Sequence, residues 1–205
     1  MLGVVYLRVS MVLALIIGDM HIPHRAADLP TKFKELLVPG KIQHVICTGN
    51  LCSKDALDWL KGLCGGGTSA LHVVEGDFDD DFTTLPQSKV VNIGDFRIGV
   101  THGHAIVPWG DIEALKSVQR LMDVDVLVTG HTHAFAAYKV NGDKALIINP
   151  GSATGAFTPL RSDVKPSFVL MDIEGSRIVV YVYELLPGDE LKVDKIVWNK
   201  DESTS

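Results

Sequence analysis

VLALIIGDMH, Val12 to His21, runs six apolar residues straight into Gly-Asp-x-His. Such a run, with no glycine or proline inside it, reads as a core strand. The glycine that ends it predicts a turn, which leaves Asp19 and His21 in the loop beyond. In an extended chain alternate side chains share one side, so the carboxylate and imidazole of Asp-x-His are expected to converge. The same grammar recurs downstream. His44–Thr48 leads to Gly49-Asn50, Leu71–Glu75 to Gly76-Asp77, Arg97–Thr101 to His102-Gly103-His104, and Val124–Thr129 to Gly130-His131-Thr132-His133. Strands that feed functional loops at their carboxyl ends are a mark of layered α/β proteins.

Between these strands, Thr31–Val38, Lys54–Leu63 and Asp111–Met122 place apolar residues three to four apart, with Ser53 and Asp111 as N-caps; they are expected to be helices. After His133 the pattern changes to strands alone: Phe135–Val140, Ala145–Ile148, Phe168–Ile173 and Ile178–Leu185, with turns at Asn141-Gly142-Asp143 and Glu174-Gly175. Asn149-Pro150-Gly151-Ser152 reads as a turn near the loops. A second sheet packed on the first is therefore expected.

With 205 residues, 46% of them hydrophobic, the chain suits one compact domain. Residues 11–198 are assigned to that domain, 1–10 to an N-terminal extension and 199–205 to a flexible tail. The apolar N-terminus lacks a basic start and an A-x-A site, so it is not read as a signal peptide. The net charge of −6, with no basic run, argues against a nucleic-acid partner. Three cysteines, Cys47, Cys52 and Cys64, fit no paired zinc or redox spacing, which favours a reducing, cytoplasmic setting. His24, His44 and His72 lie outside the convergent loops and are expected to be surface or core residues.

Imidazole and carboxylate together suit zinc, manganese or iron. The order D-x-H, G-N, G-D-x, H and G-H-x-H, from Leu15 to about Ser152, resembles the calcineurin-like metallophosphoesterases. That resemblance implies an αββα four-layer sandwich with a two-metal centre, taking zinc or manganese as divalent ions. It implies Asp19, His21 and His133 on one ion, Asp77, His102 and His131 on the other, and Asn50 at the bridge. His104 is expected beside the ligands rather than among them. Two departures stand out. The bridging position is normally an aspartate, and the neutral Asn50 offers one acceptor and two donors. The imidazole that normally follows the glycine and asparagine is here Phe78, which has no proton to give, and losing a general acid typically forfeits about 10²–10⁴ in rate. A degenerate active site with no catalytic residue follows, and no substrate pocket is evident.

A closer likeness lies in GDMHIPHR (Gly18–Arg25), GDFDD (Gly76–Asp80), HGHAIVPWGD (His102–Asp111) and GHTHAF (Gly130–Phe135). These stretches resemble non-catalytic scaffold members of the family that serve endosomal protein transport. The likeness implies an α-solenoid partner subunit, regulator proteins on a second surface, and a membrane reached only through the complex. Ile106, Val107 and Trp109 sit on a loop beside the metal face and are expected to contact the solenoid, since aromatic and apolar anchors suit partner surfaces. The strand Val179–Glu184 is apolar on both faces, with Tyr181 and Tyr183 on one of them. Together with Leu13, Leu36, Leu170 and Val193 they form the expected regulator patch. The alternative is a weak metal-dependent phosphodiesterase or phosphatase.

Overall fold

The computed structural model describes residues 11–80, 84–159 and 161–200. In chain order the elements are β1 (Val12–Ile17), α1 (Thr31–Leu36), β2 (His44–Cys47), α2 (Lys54–Leu63), β3 (Leu71–Val73), β4 (Ser88–Ile93), β5 (Phe96–Thr101), α3 (Ile112–Met122), β6 (Val126–Val128), β7 (Phe135–Val140), β8 (Ala145–Pro150), β9 (Ser167–Glu174), β10 (Arg177–Leu186) and β11 (Glu190–Asn199). They form a six-stranded sheet ordered β11-β10-β9-β1-β2-β3 and a five-stranded sheet ordered β4-β5-β6-β8-β7.

Alternation within each strand sorts the side chains into three cores. Ala14, Ile16, Ile46, Val169 and Val180 from the first sheet meet Ile98, Val126, Val128 and Ile148 from the second. Burying both inner faces explains why β1 and β8 read as unbroken apolar runs. The other face of β1, through Leu15 and Ile17, packs under Phe33 of α1 and Leu60 and Leu63 of α2. On the far side, Leu115 of α3 packs on Leu127 and Ile147. Helix, sheet, sheet and helix are thus stacked in four layers. The two expected N-caps are in place: Ser53 Oγ accepts from the Ala56 amide and Asp111 Oδ1 from the Ala114 amide.

Two strands were not legible. β4 starts on Ser88 and Lys89 with only Val91 and Ile93 buried, and β11 carries Glu190, Lys192, Asp194 and Lys195 along an edge with Trp198 as its one buried residue. Charged side chains on an edge strand discourage pairing with other chains, and they also erase the apolar signal. β11 runs to Asn199, one residue past the expected domain end, and the Lys200 amide donates to the Ser176 carbonyl. The Asn149–Ser152 turn starts later than expected, because Asn149 and Pro150 still belong to β8, where Pro150 faces Phe135. The N-terminal extension 1–10 and residues 201–205 lie outside the described residues. Among the described residues no helix is long and apolar enough to cross a membrane.

Candidate metal centre

β1, β2 and β3 run parallel in one sheet and β5 and β6 run parallel in the other. Their carboxyl-terminal loops meet at one end of the sandwich and bring Asp19, His21, Asn50, Asp77, His102, His131 and His133 together. The convergence does not come from extended alternation, as expected from the sequence. Asp19, His21, Asn50, His131 and His133 all hold positive φ, between 48° and 68°, so the first, second and last of these loops turn back on themselves at their ligands. Left-handed backbone at non-glycine residues costs on the order of 1–3 kcal/mol each and gathers at functional sites. The neighbouring glycines are required by space. A Cβ on Gly76 would lie 2.2 Å from Asn50 Oδ1, and one on Gly130 would lie 2.9 Å from Asp19 Oδ2.

Asp19, His21 and His133 form one potential ligand group, with ligand atoms all within 4.8 Å of one another. His21 Nε2 and His133 Nε2 are 3.1 Å apart, and His133 Nε2 is 3.5 Å from Asp19 Oδ1. Ligands of a tetrahedral ion with bonds of about 2.0 Å stand about 3.3 Å apart, so this group fits a transition-metal ion. Asp77, His102 and His104 form the other group. His104, expected outside the ligands, is inside this one. His131, the implied ligand, places Nδ1 3.5 Å from Asp77 Oδ1, and His102 Nε2 stands 2.9 Å from the same oxygen.

The surrounding hydrogen bonds select the tautomers a metal needs. His102 Nδ1 lies 2.7 Å from the Thr48 carbonyl and His133 Nδ1 lies 2.6 Å from the Ala156 carbonyl. Each must donate there, which leaves Nε2 as a bare lone pair facing the centre. Asp19 Oδ2 accepts from the His131 amide, tying the first loop to the last. Burial opposes the charge on Asp19, but His102, His133 and His21 outweigh it and hold its carboxyl below the usual range. Burial likewise opposes protonation of His102, and Asp19 and Asp77 beside it push its pKa up regardless. Burial takes His21 down to about 4, against the pull of Asp19. Cys47 and Cys52 flank Asn50 but stay thiols, Cys52 being pushed up to about 12 mainly by burial, so neither is a ready metal ligand.

Asn50 has a fixed orientation. Its Oδ1 accepts from the Phe78 amide at 2.9 Å, a donor that cannot turn away. Its Nδ2 therefore faces inward, 3.0 Å from Asp77 Oδ1, 3.1 Å from His102 Nε2 and 3.4 Å from both Asp19 Oδ1 and His21 Nε2. Where a bridging carboxylate would give lone pairs, this site gives two N–H groups. Asp79 is a positioning residue that the sequence reading passed over. Its buried carboxylate accepts from the amides of Asn50, Cys52 and Gly76 and so locks the second and third loops together.

Phe78 is 46% exposed, with the Arg25 guanidinium 4.4 Å from its ring centroid and His21 edge-on at 5.3 Å. The Phe157 ring centroid also lies 5.2 Å from this guanidinium, and the Phe157 carbonyl accepts from Nη1. Contrary to expectation, a small cleft exists above the ligands, about 230 Å³, walled by Arg25, Phe78, Trp109 and Pro159. Its walls are largely apolar, and no proton donor stands where Phe78 does.

The flanking loop carries Val107, 73% exposed, and Trp109, 46% exposed. Trp109 donates Nε1–H to the His104 carbonyl and sets its ring edge-on to His131 at 4.5 Å. Ile106, expected on the same contact surface, is instead half-buried against the core under α3. Far from the metals, Tyr181 pairs with Leu170 and Tyr183 with Val193 on the outer face of the first sheet. Leu13 and Leu170 are half-buried on that face beside Tyr183, which stacks on Phe168 at 4.7 Å, and Leu36 projects 44% exposed from the end of α1. Helices α1 and α2 cover the β1–β3 half of this face, and α1 also reaches the end of the β10–β11 hairpin, where Leu185 and Leu191 join the Phe33 core and Lys32 pairs with Asp189.

Residues 11–176 match the calcineurin-like phosphoesterase superfamily domain. The chain is 45% identical to vacuolar protein sorting-associated protein 29 of Schizosaccharomyces pombe over 194 residues, 93% of this chain and all of that protein. The structure of vacuolar protein sorting 29 from Cryptosporidium parvum superposes with a TM-score of 0.85 at 41% identity, covering 93% of this chain and 99% of that one. The wild-type protein from Entamoeba histolytica, solved as a zinc complex, gives 0.83 at 46% identity, covering 91% and 99%. The chain therefore belongs to the calcineurin-like phosphoesterase superfamily and, within it, to the vacuolar protein sorting-associated protein 29 family.

Proposed function

We propose that the chain is a non-catalytic scaffold subunit of retromer in endosome-to-Golgi and endosome-to-plasma-membrane transport. In this reading it is cytoplasmic and peripheral on endosomes, reaching the membrane only through the complex. The observation that carries the reading is the pairing of a metal site lacking its proton donor with an exposed apolar loop at its rim. Asp19, His21, Asp77, His102, His131 and His133 would hold zinc or manganese, with Asn50 between the ions, and the bound charge would brace the five loops. Ile106 anchors the rim loop from below, while Val107 and Trp109 present its apolar surface to the solenoid subunit, vacuolar protein sorting 35. The second patch, Leu13, Leu36, Leu170, Tyr181, Tyr183 and Val193, would take regulators independently, since rigid tyrosines grip short apolar or proline-containing segments well.

Val107→Asp tests the first interface, because it would leave an unpaired charge in a desolvated contact. Loss of co-purification with the solenoid subunit, with an unchanged melting temperature, is expected; normal co-purification would refute the assignment. The runner-up, a weak metal-dependent phosphodiesterase, draws on the cleft above the ligands and the intact remaining ligand set.

A further inference from the structure

We propose that His104 is a protein ligand of the second ion and closes its coordination, which turns that site from a catalytic type into a structural one. The inference rests on the metal-binding part of the reading above and concerns a residue outside the implied ligand set. His104 shares a ligand cluster with Asp77 and His102, all within 4.8 Å. Its Nδ1 is buried without a hydrogen-bond partner. The other histidines are committed differently: His102 and His133 spend Nδ1 on backbone carbonyls. The His104 ring has no such tether on Nδ1, so it is free to turn toward an ion. The Trp109 indole, bonded to the His104 carbonyl, fixes the backbone that carries the ring.

The need for such a ligand follows from Asn50. Its inward Nδ2 gives neither ion a lone pair, so the second ion loses the ligand a bridging carboxylate would provide. Asp77, His102 and His131 alone would leave an open coordination position, the arrangement of catalytic zinc, whereas a fourth protein ligand gives the closed set of structural zinc. His104 is not among the residues that wall the cleft, whereas Asp77 and His131 are. Its ligation links the second ion directly to the loop that presents Val107 and Trp109.

Long-range ¹H–¹⁵N correlation of the imidazoles in the unmutated protein, titrated with zinc, reads the ligand set without any variant. A ring nitrogen of His104 should shift together with one of His102 and one of His131, while exposed His24 stays still. Calorimetric zinc titration of His104→Ala should show the second binding step weakened by more than about 100-fold, beyond the 10–100-fold of an outer-sphere change. The first step should be unchanged, which also shows that the variant is folded. Shifts at His102 and His131 without His104, or two unweakened steps in His104→Ala, would overturn the inference alone. No shift at any ring would overturn the metal reading with it.

Discussion

Asn50→Asp should destabilise the metal-free protein and be nearly neutral in excess zinc. Without an ion, the new carboxylate keeps the Phe78 amide but loses the inward donors that now satisfy Asp77 Oδ1 and His102 Nε2. A hydrogen bond to a charged group contributes about 1.5–3 kcal/mol, and a third carboxylate is added beside buried Asp19 and the more exposed Asp77. A loss of about 3 kcal/mol lowers the melting temperature of a domain this size by about 6–12 °C. With zinc, the same carboxylate turns a lone pair toward the ions in place of two repelling N–H groups. A gain of about 2.7 kcal/mol in binding, or about 100-fold in affinity, is expected. Thermal melts in chelator and in excess zinc, with calorimetric titration, measure both halves. A variant as stable as the parent in chelator and no tighter for zinc would refute the inward orientation of the amide.

Asp79→Ala removes the acceptor shared by three loop amides, so a loss of more than about 4 kcal/mol is expected; a melting temperature lowered by less than about 4 °C would contradict it. Burial takes His72 down to about 4, helped by Lys89 and His44, whereas its unfolded value is ordinary. The unfolded chain therefore binds the extra proton first, and stability should fall as pH drops from about 6.5 toward about 4 and level off below. His72→Gln should flatten part of that slope in urea melts under chelator, and an unchanged slope would show that the His44–His72 pair is not its source. Tyr181→Ala and Leu170→Asp should each abolish binding of a regulator peptide while sparing the solenoid subunit. Loss of both contacts would mark a folding defect, and loss of neither would place the regulator site elsewhere.

The strands and ligand loops were legible because apolar runs and glycine punctuation report burial and turns directly. β4 and β11 were not, since an edge strand needs one apolar face at most and β11 fills its exposed face with charge. The ligand residues could be named, but their left-handed backbone could not, because nothing in Asp-x-His signals that each residue turns the chain. Asp79 looked like one more carboxylate in a run of three; only the fold shows that Asn50, 29 residues earlier, donates to it. Its spacing after Gly76 was the available signal. Arg25 is hidden in the same way, since its two aromatic neighbours lie in distant loops.

Turnover is the most direct measure of the central claim that this metal centre braces a docking surface and catalyses nothing. Purified protein loaded with zinc or manganese should hydrolyse an aryl phosphodiester barely above the metal-only background, because Phe78 supplies no proton and Asn50 opposes the bridge. Ordinary enzyme rates, on the order of 1–10³ s⁻¹, abolished by Asp77→Ala, would contradict the account.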